Sequence, residues 1–392
     1  MVNNKIQVFY IGFLSAFSLI VFDLYQPALP AITNYFHTTH AAAQLTLNLF
    51  FFVFGISQLI WGPLIDHYGR VRILNYSLYL FTFATLVCVF ATSIEILIIA
   101  RTLQGFTVCC ANIVAFSSSR DISDAVERAQ RLSFISMIVS VSPIISPLIG
   151  SIIFINFGWR ATFIFMILIG FVLFWLSSIN LEESPFWKKK EHHVSIIQSL
   201  MDYRVILSHK KLWRYIAIIS FSYSCIMITV TNASFIIIDN LHRDPLTYAV
   251  IFASNGVTMV LGNYLGIYLR TKRPMIWNIH FGSATLLFSA TLMLALFYFY
   301  GLTLLTLAPV LIINLGICFT NAPSLSLALS EYTDNAGTAT AILNMSRMVF
   351  ASIISAISGI TIAYSPLYLP WFYFLCALAC FLIAYGRGTE NK

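Results

Sequence analysis

Charge is what this 392-residue sequence has least of: only 9% of its residues are Asp, Glu, Lys or Arg. A soluble domain carries roughly 25%, so a chain of this length cannot clothe a water-facing surface. Intrinsic disorder is excluded by the opposite excess. Hydrophobic residues make up 59%, and a disordered chain needs low hydrophobicity. Cysteine is sparse too. Cys88, Cys109, Cys110, Cys225, Cys318, Cys376 and Cys380 all fall in apolar runs, without Cys-x-x-Cys or Cys/His ligand spacing. They read as small buried hydrophobes rather than a disulfide framework or a metal or redox site. No metal and no cofactor is expected.

The few charges are unevenly placed. Residues 24–65 and 274–330 contain none, and between residues 335 and 386 the sole charge is Arg347. A spanning helix needs about 20 apolar residues, so each stretch holds about two. A β-barrel would alternate apolar and polar residues in strands of roughly 10. Residues 80–90 and 216–230 are instead apolar on all sides. The fold class is therefore all-α integral membrane. Spans are expected near residues 7–27, 43–64, 73–92, 96–118, 132–155, 161–180, 212–238, 247–269, 275–298, 302–327, 337–362 and 368–386, twelve transmembrane helices in all. Lys5 and the apolar run after it imitate a secretory signal. No small-x-small cleavage site precedes Asp23, so the run is read as a retained first span.

Basic residues give the sidedness. Eighteen of the 22 Lys and Arg fall in termini and loops on the side of the N-terminus. Only Arg160 and Arg243 fall in the opposite loops, and Arg101 and Arg347 lie within spans. Both termini are expected in the cytoplasm. The net charge of +7 is a topology signal and needs no nucleic-acid partner. The longest polar stretch, 181–211, divides the chain into an N-terminal six-helix bundle (1–180), a cytoplasmic linker (181–211) and a C-terminal six-helix bundle (212–392). Within the linker, 194–207 has the pattern of a short amphipathic helix lying on the membrane. The segment Gly62 to Arg70, after span two, recurs as Gly262 to Arg270 after span eight, without counterparts of Asp66 and Gly69. With the span count, this points to two parallel-related, pseudo-symmetric halves.

Five motifs follow in order. Gly62-Pro63-Leu64-Ile65-Asp66-His67-Tyr68-Gly69-Arg70 demands a very tight turn, with glycine allowing positive φ and Asp66 suited to a helix N-terminus or a basic partner. Asp23-Leu24-Tyr25-Gln26-Pro27-Ala28-Leu29-Pro30 ends the expected span one. Arg101-Thr102-Leu103-Gln104-Gly105 opens span four. Ser119-Arg120-Asp121-Ile122 precedes Glu127-Arg128-Ala129. Ser142-Pro143-Ile144-Ile145-Ser146-Pro147-Leu148-Ile149-Gly150-Ser151 precedes Gly158-Trp159-Arg160.

The first of these resembles the G-x-L-x-D-R-x-G-R-K/R loop of the major facilitator superfamily, with His67 and Val71 departing from the usual basic residues. The others resemble D-x-Y-x-P-A-L-P, R-x-x-Q-G, R-D-L with E-R-A, and the span-five antiporter motif P-x-x-A-P-x-x-G-G of its drug:proton antiporters. In that last motif Ser146 and Ser151 replace Ala and Gly. The chain is thus similar to the twelve-span bicyclomycin/chloramphenicol-resistance (Bcr/CflA-like) subfamily. The resemblance covers the first 185 residues; the second half matches mainly through Ala336-Gly337-Thr338-Ala339.

Several residues become candidates. Asp23 is an intramembrane carboxyl, by default a functional group; it is a candidate proton carrier or a structural cap. The resemblance gives Arg101 a role in proton coupling, against a plain tie to backbone carbonyls. Arg347, some ten residues inside span eleven, is unusual for the subfamily and would draw an anion into a cavity or pair with an acid or carbonyl. Tyr25, Gln104, Tyr223, His280 and Asn344 are further cavity candidates, His280 with packing as its alternative. The resemblance makes Gly62, Asp66, Gly69, Arg70, Arg120 and Asp121 the cytoplasmic gate, and Pro143, Pro147 and Gly150 the antiporter motif.

The implied function is efflux of small organic molecules, as in multidrug resistance, in exchange for protons. The alternative is a dedicated exporter of an anionic metabolite such as a polycarboxylate siderophore. An enzyme is not expected, since no carboxylate pair, His-Glu-x-x-His or Ser/His/Asp set falls in the spans. A channel fits poorly with two halves and a gate motif. The expected partners are a small-molecule substrate, protons and lipid, the chain acting as a monomer in the inner membrane.

Overall fold

The computed structural model describes residues 2–120, 125–181, 183, 208–330, 332 and 336–386. No strand occurs among them. Among the described residues, twelve helical segments are long and apolar enough to cross a membrane. Spans one to six are Gln7–Tyr35, His40–Tyr68, Arg70–Val89, Ile94–Ser118, Ser133–Phe157 and Trp159–Asn180. Spans seven to twelve are Leu212–Asn240, Pro245–Lys272, Met275–Tyr300, Leu304–Leu329, Gly337–Tyr364 and Tyr368–Tyr385. A helix meets every backbone N–H and C=O within one segment, which is what a hydrocarbon solvent demands. The expected amphipathic stretch 194–207 lies outside the described residues.

Span one departs from the expected 7–27. Helix Val2–Asp23 gives way to a 3₁₀ turn, Gln26–Ala28, and a second helix, Leu29–Tyr35, carries the span onward. Pro27 and Pro30 each sit in the first turn of a new segment, where a missing N–H is tolerated. They restart the helix instead of ending the span. Asp23 therefore stands well inside the span, at the break.

Two compact units divide the chain: Met1–Ser199 with Asp244–Ala253, and Leu200–Arg243 with Ser254–Lys392. In the first, span four packs on spans one, two and three, span one also on five and six, and span three on six. In the second, span seven packs on ten, eleven and twelve, and span nine on ten and twelve. The pairings of span one with four, five and six thus recur six spans later, as do those of span three with four and six. That recurrence is the structural form of the internal repeat.

Between helices the glue is polar. In the first unit, the Trp61 indole donates to Phe106 O at 2.7 Å, Ser77 to Thr107 O at 2.6 Å and Ser177 to Asn75 Oδ1 at 2.6 Å. In the second, Thr229 meets Tyr373 and Thr231 meets Ser355, each pair of hydroxyls 2.7 Å apart. Each such bond is worth about 0.6 kcal/mol inside a membrane, so they specify register more than they drive association. All seven cysteines are buried and free. Large apolar side chains such as Phe83, Phe171, Trp175, Tyr264 and Phe288 stand exposed, a surface suited to lipid.

Small residues set the closest approach. Span five carries Pro143 and Pro147 in its interior, each removing one helical N–H donor. One turn later, a Cβ on Gly150 would land on the carbonyl oxygen of Leu24 in span one. Gly150→Ala is expected to destabilise by about 1–3 kcal/mol, because the obstacle is backbone and cannot swing away. Gly62→Ala, with nothing within 4 Å of the added carbon, should leave stability unchanged. Thermal melts of the purified protein check the pair: Gly150→Ala melts lower than wild type and Gly62→Ala does not.

Candidate functional site

The first polar centre lies where spans one and four meet. Arg101 is wholly buried. Its Nη1 donates to Gln104 Oε1 at 2.7 Å and to Val21 O at 3.3 Å. Its guanidinium carbon lies 4.1 Å from the centre of the Tyr25 ring and 4.6 Å from that of Phe50. Nε and Nη2 meet no acceptor among the described residues. A desolvated cation over an aromatic face gains about 2 kcal/mol or more, so two rings and two oxygens carry a charge with no carboxylate ion pair among the described residues. Gln104 is fixed in turn by donating Nε2 to Thr85 Oγ1 at 2.6 Å, and the Tyr25 hydroxyl lies 2.6 Å from Thr46 Oγ1.

Asp23 is buried two residues from each of the Val21 and Tyr25 contacts of Arg101, without touching the arginine. Its Oδ1 accepts from Gln26 Nε2 at 2.7 Å. Gln26, also buried, accepts at Oε1 from the Tyr248 hydroxyl at 2.8 Å. The result is a chain of Tyr248, Gln26 and Asp23 in which each member is positioned by the next. Tyr248 belongs to the first turns of span eight, which pack in the first unit. Asp244 caps that helix: Thr247 donates to its carboxylate through both N–H and hydroxyl. The hydroxyl bond chiefly holds the Asp244 carboxyl below its ordinary pKa. Ser151, beside Gly150 in span five, donates to Pro245 O at 2.9 Å and ties the same turn down.

Tyr25 and Gln104, expected to line a cavity, are consumed here in holding Arg101. The sequence pattern offered Gln26 within the Asp23 motif but assigned it no role. Tyr248 had no motif at all, since only the fold brings it to residue 26.

The second centre lies in the second unit. A cavity of about 220 Å³ is lined by Asn263, Asn321, Asn344 and Arg347 on otherwise apolar walls. The Arg347 guanidinium lies 4.9 Å from the centre of the Tyr223 ring. The structure thus brings Tyr223, Asn344 and Arg347 together and adds Asn263 and Asn321. It does not bring His280 there. The His280 ring stacks on Tyr385 at 4.3 Å between centres, with Nε2 3.0 Å from Ala384 O. Its imidazole reaches the end of span twelve because span nine packs on that helix, so packing is its place.

The third cluster is the turn between spans two and three. Gly69 holds φ +89°, the left-handed region open to glycine. Just past it, the Glu183 carboxylate accepts from Arg70 N–H at 2.8 Å and Val71 N–H at 3.0 Å. A Cβ on Gly69 would lie 2.7 Å from the same carboxylate. Asp66 is exposed and Arg70 buried. Asp121 and the Arg120 side chain lie outside the described residues. Glu183 escaped the sequence reading because it is 113 residues away from its partner Arg70. A carboxylate at a helix N-terminus is favoured by the macrodipole, by typically 0.3–1 kcal/mol and up to about 2 in partly buried sites. Glu183→Ala should therefore speed hydrogen exchange at the Arg70 and Val71 amides by roughly 2- to 20-fold. Glu183→Gln, which keeps an acceptor, should have a smaller effect.

Residues 11–356 match the Major Facilitator Superfamily. An uncharacterized MFS-type transporter, YdgK of Bacillus subtilis (strain 168), is 26% identical over 360 residues, which cover 90% of this chain and 88% of that protein. Multidrug resistance protein MdtL of Shewanella sp. (strain ANA-3) is 25% identical over 348 residues, covering 86% and 84%. In solved structures, a bacterial homolog of the human lysosomal transporter Spinster superposes with a TM-score of 0.79 at 14% identity, covering 97% of each chain. A D-xylose–proton symporter does so with a TM-score of 0.74 at 14% identity, covering 96% of this chain and 97% of its own. With twelve spans, a recurring helix pairing and a match along most of its length, this chain belongs to the major facilitator superfamily, the multi-pass membrane transporters of small molecules.

Proposed function

We propose that the chain is a proton-coupled exporter of small organic molecules, working as a monomer by alternating access in the inner membrane with both termini cytoplasmic. The carrying observation is the chain from Asp23 through Gln26 to Tyr248. An ionised Asp23 receives a charge-assisted hydrogen bond from Gln26, roughly twice as strong as a neutral one. Taking up a proton removes the charge and weakens that bond. Gln26 then holds the Tyr248 hydroxyl less firmly, and the start of span eight is freed. Proton occupancy at one carboxyl is thereby linked to the packing of a helix end.

Arg101 keeps a fixed positive charge on the same span-one segment through Val21 O and the Tyr25 ring. On this reading it holds the break in span one in place while Asp23 exchanges its proton. The Glu183 cap and the Gly69 turn form part of the inner gate with Gly62, Asp66, Arg70, Arg120 and Asp121. The motif resemblance to Bcr/CflA-like antiporters and the names of the MdtL relatives support efflux of drug-like solutes over uptake.

Everted membrane vesicles with an acid interior test the reading. Lipophilic cations, neutral antibiotics and small carboxylates are added in turn, and proton release is followed with a pH-sensitive dye. Wild type should release protons with at least one class, and Asp23→Asn should release none. Tyr248→Phe loses one neutral hydrogen bond of about 0.5–1.5 kcal/mol, so it should keep exchange at a rate roughly 2- to 10-fold lower. Full release by Asp23→Asn would overturn the assignment.

A further inference from the structure

We infer that the cavity of the second unit is a binding site for a small organic monocarboxylate, with Arg347 as its anchor. This narrows the substrate class and rests on the transport reading above. The hydrogen bonds that the walls make and leave unmade support a carboxylate there. Arg347 Nε is shut off from solvent and has no acceptor among the described residues. The Tyr223 ring lies against the guanidinium, and Nη1 and Nη2 make no hydrogen bond to the described residues, which leaves that end of the group for a ligand. Asn321 spends Oδ1 on the Ser222 hydroxyl, 2.6 Å away, which turns its Nδ2 hydrogens into the free end of the amide. Asn263 and Asn344 line the same space and make no hydrogen bond to the described residues. No carboxylate is among the described lining residues. The site therefore offers an unopposed positive charge and amide donors spread over spans eight, ten and eleven.

A planar fork of donors matches a carboxylate bidentately. Such a ligand would satisfy the guanidinium, and a cation there would face Arg347 with nothing to offset the repulsion. The other walls come from Ile219, Met259, Ile317 and Leu325, so the body behind the carboxylate is apolar. Size bounds it further. Drug-sized ligands occupy pockets of roughly 300–1,000 Å³, and this one measures about 220 Å³. A single ring or short branched chain fits within that volume.

Direct binding to the purified full chain in lipid nanodiscs tests this without recourse to transport. The probes are benzoate, benzamide and benzylamine, alike in ring and different in charge, with affinity read by calorimetry. Benzoate should bind at least 10-fold more tightly than either of the others. Arg347→Gln should cost benzoate at least 10-fold while leaving benzamide unchanged. Asn321→Asp adds a carboxylate beside Arg347, and should weaken benzoate and improve benzylamine. The benzylamine gain guards against the case in which Arg347→Gln fails to fold. Equal affinity of wild type for benzoate and benzamide, or full benzoate affinity in folded Arg347→Gln, would overturn the site. Its failure is distinguishable from failure of the transport reading. Benzoate binding in a protein that releases no protons in vesicles would remove the proton coupling and keep the site. Proton release driven by cations with no benzoate binding would do the reverse.

Discussion

A charge inside a bilayer must be satisfied by the protein itself, and the first unit is organised around one such charge. Arg101 has no water-facing side. Its stabilisation comes from the Tyr25 and Phe50 rings, the Val21 carbonyl and Gln104. Those partners belong to spans one, two and four, so satisfying one guanidinium fixes three helices. The break in span one is part of the same solution. It turns Tyr25 onto the arginine and leaves the next polar side chains, Asp23 and Gln26, to satisfy each other. Gly150 completes the arrangement, because only a residue without a side chain lets span five approach the Leu24 carbonyl.

The second unit solves the opposite problem. Its helix pairings repeat those of the first, and neutral hydroxyls and amides supply interhelical ties, as with Thr229 and Tyr373 or Asn314 and Asn255, while Arg214 of span seven donates to the Ala384 carbonyl of span twelve. Arg347 differs from Arg214 in that its Nε has no acceptor among the described residues. The duplicated architecture thus carries two kinds of polar centre. One is closed around Arg101 and Asp23, and the other lines a cavity with Arg347 and three asparagines.

The spans were legible because hydropathy and charge positions act over whole helices, and any helix in lipid must answer to them. The motif residues Gly69, Arg101 and Gly150 were legible because tight turns, buried charges and close approaches admit few residue types. The end of span one misled the reading: Pro27 and Pro30 look like terminators, and whether a proline stops or restarts a helix depends on the turn before it. Glu183, Tyr248, Asn263 and Asn321 were invisible for another reason. Each acquires its place only through the fold, and a lone Glu, Tyr or Asn carries no local pattern to announce it. His280 was the converse, a polar residue in a span whose surroundings proved to be Tyr385 and a backbone carbonyl.

On the proposed function, Asp23 exchanges a proton in a chain that ends at Tyr248. Infrared difference spectroscopy reads this directly, as the carbonyl stretch of a protonated carboxyl present in wild type and missing in Asp23→Asn. This band should disappear on raising pH, and Tyr248→Phe should move the pH at which it does so. A wild-type band that is absent at every pH, or one whose titration is identical in Tyr248→Phe, would contradict it.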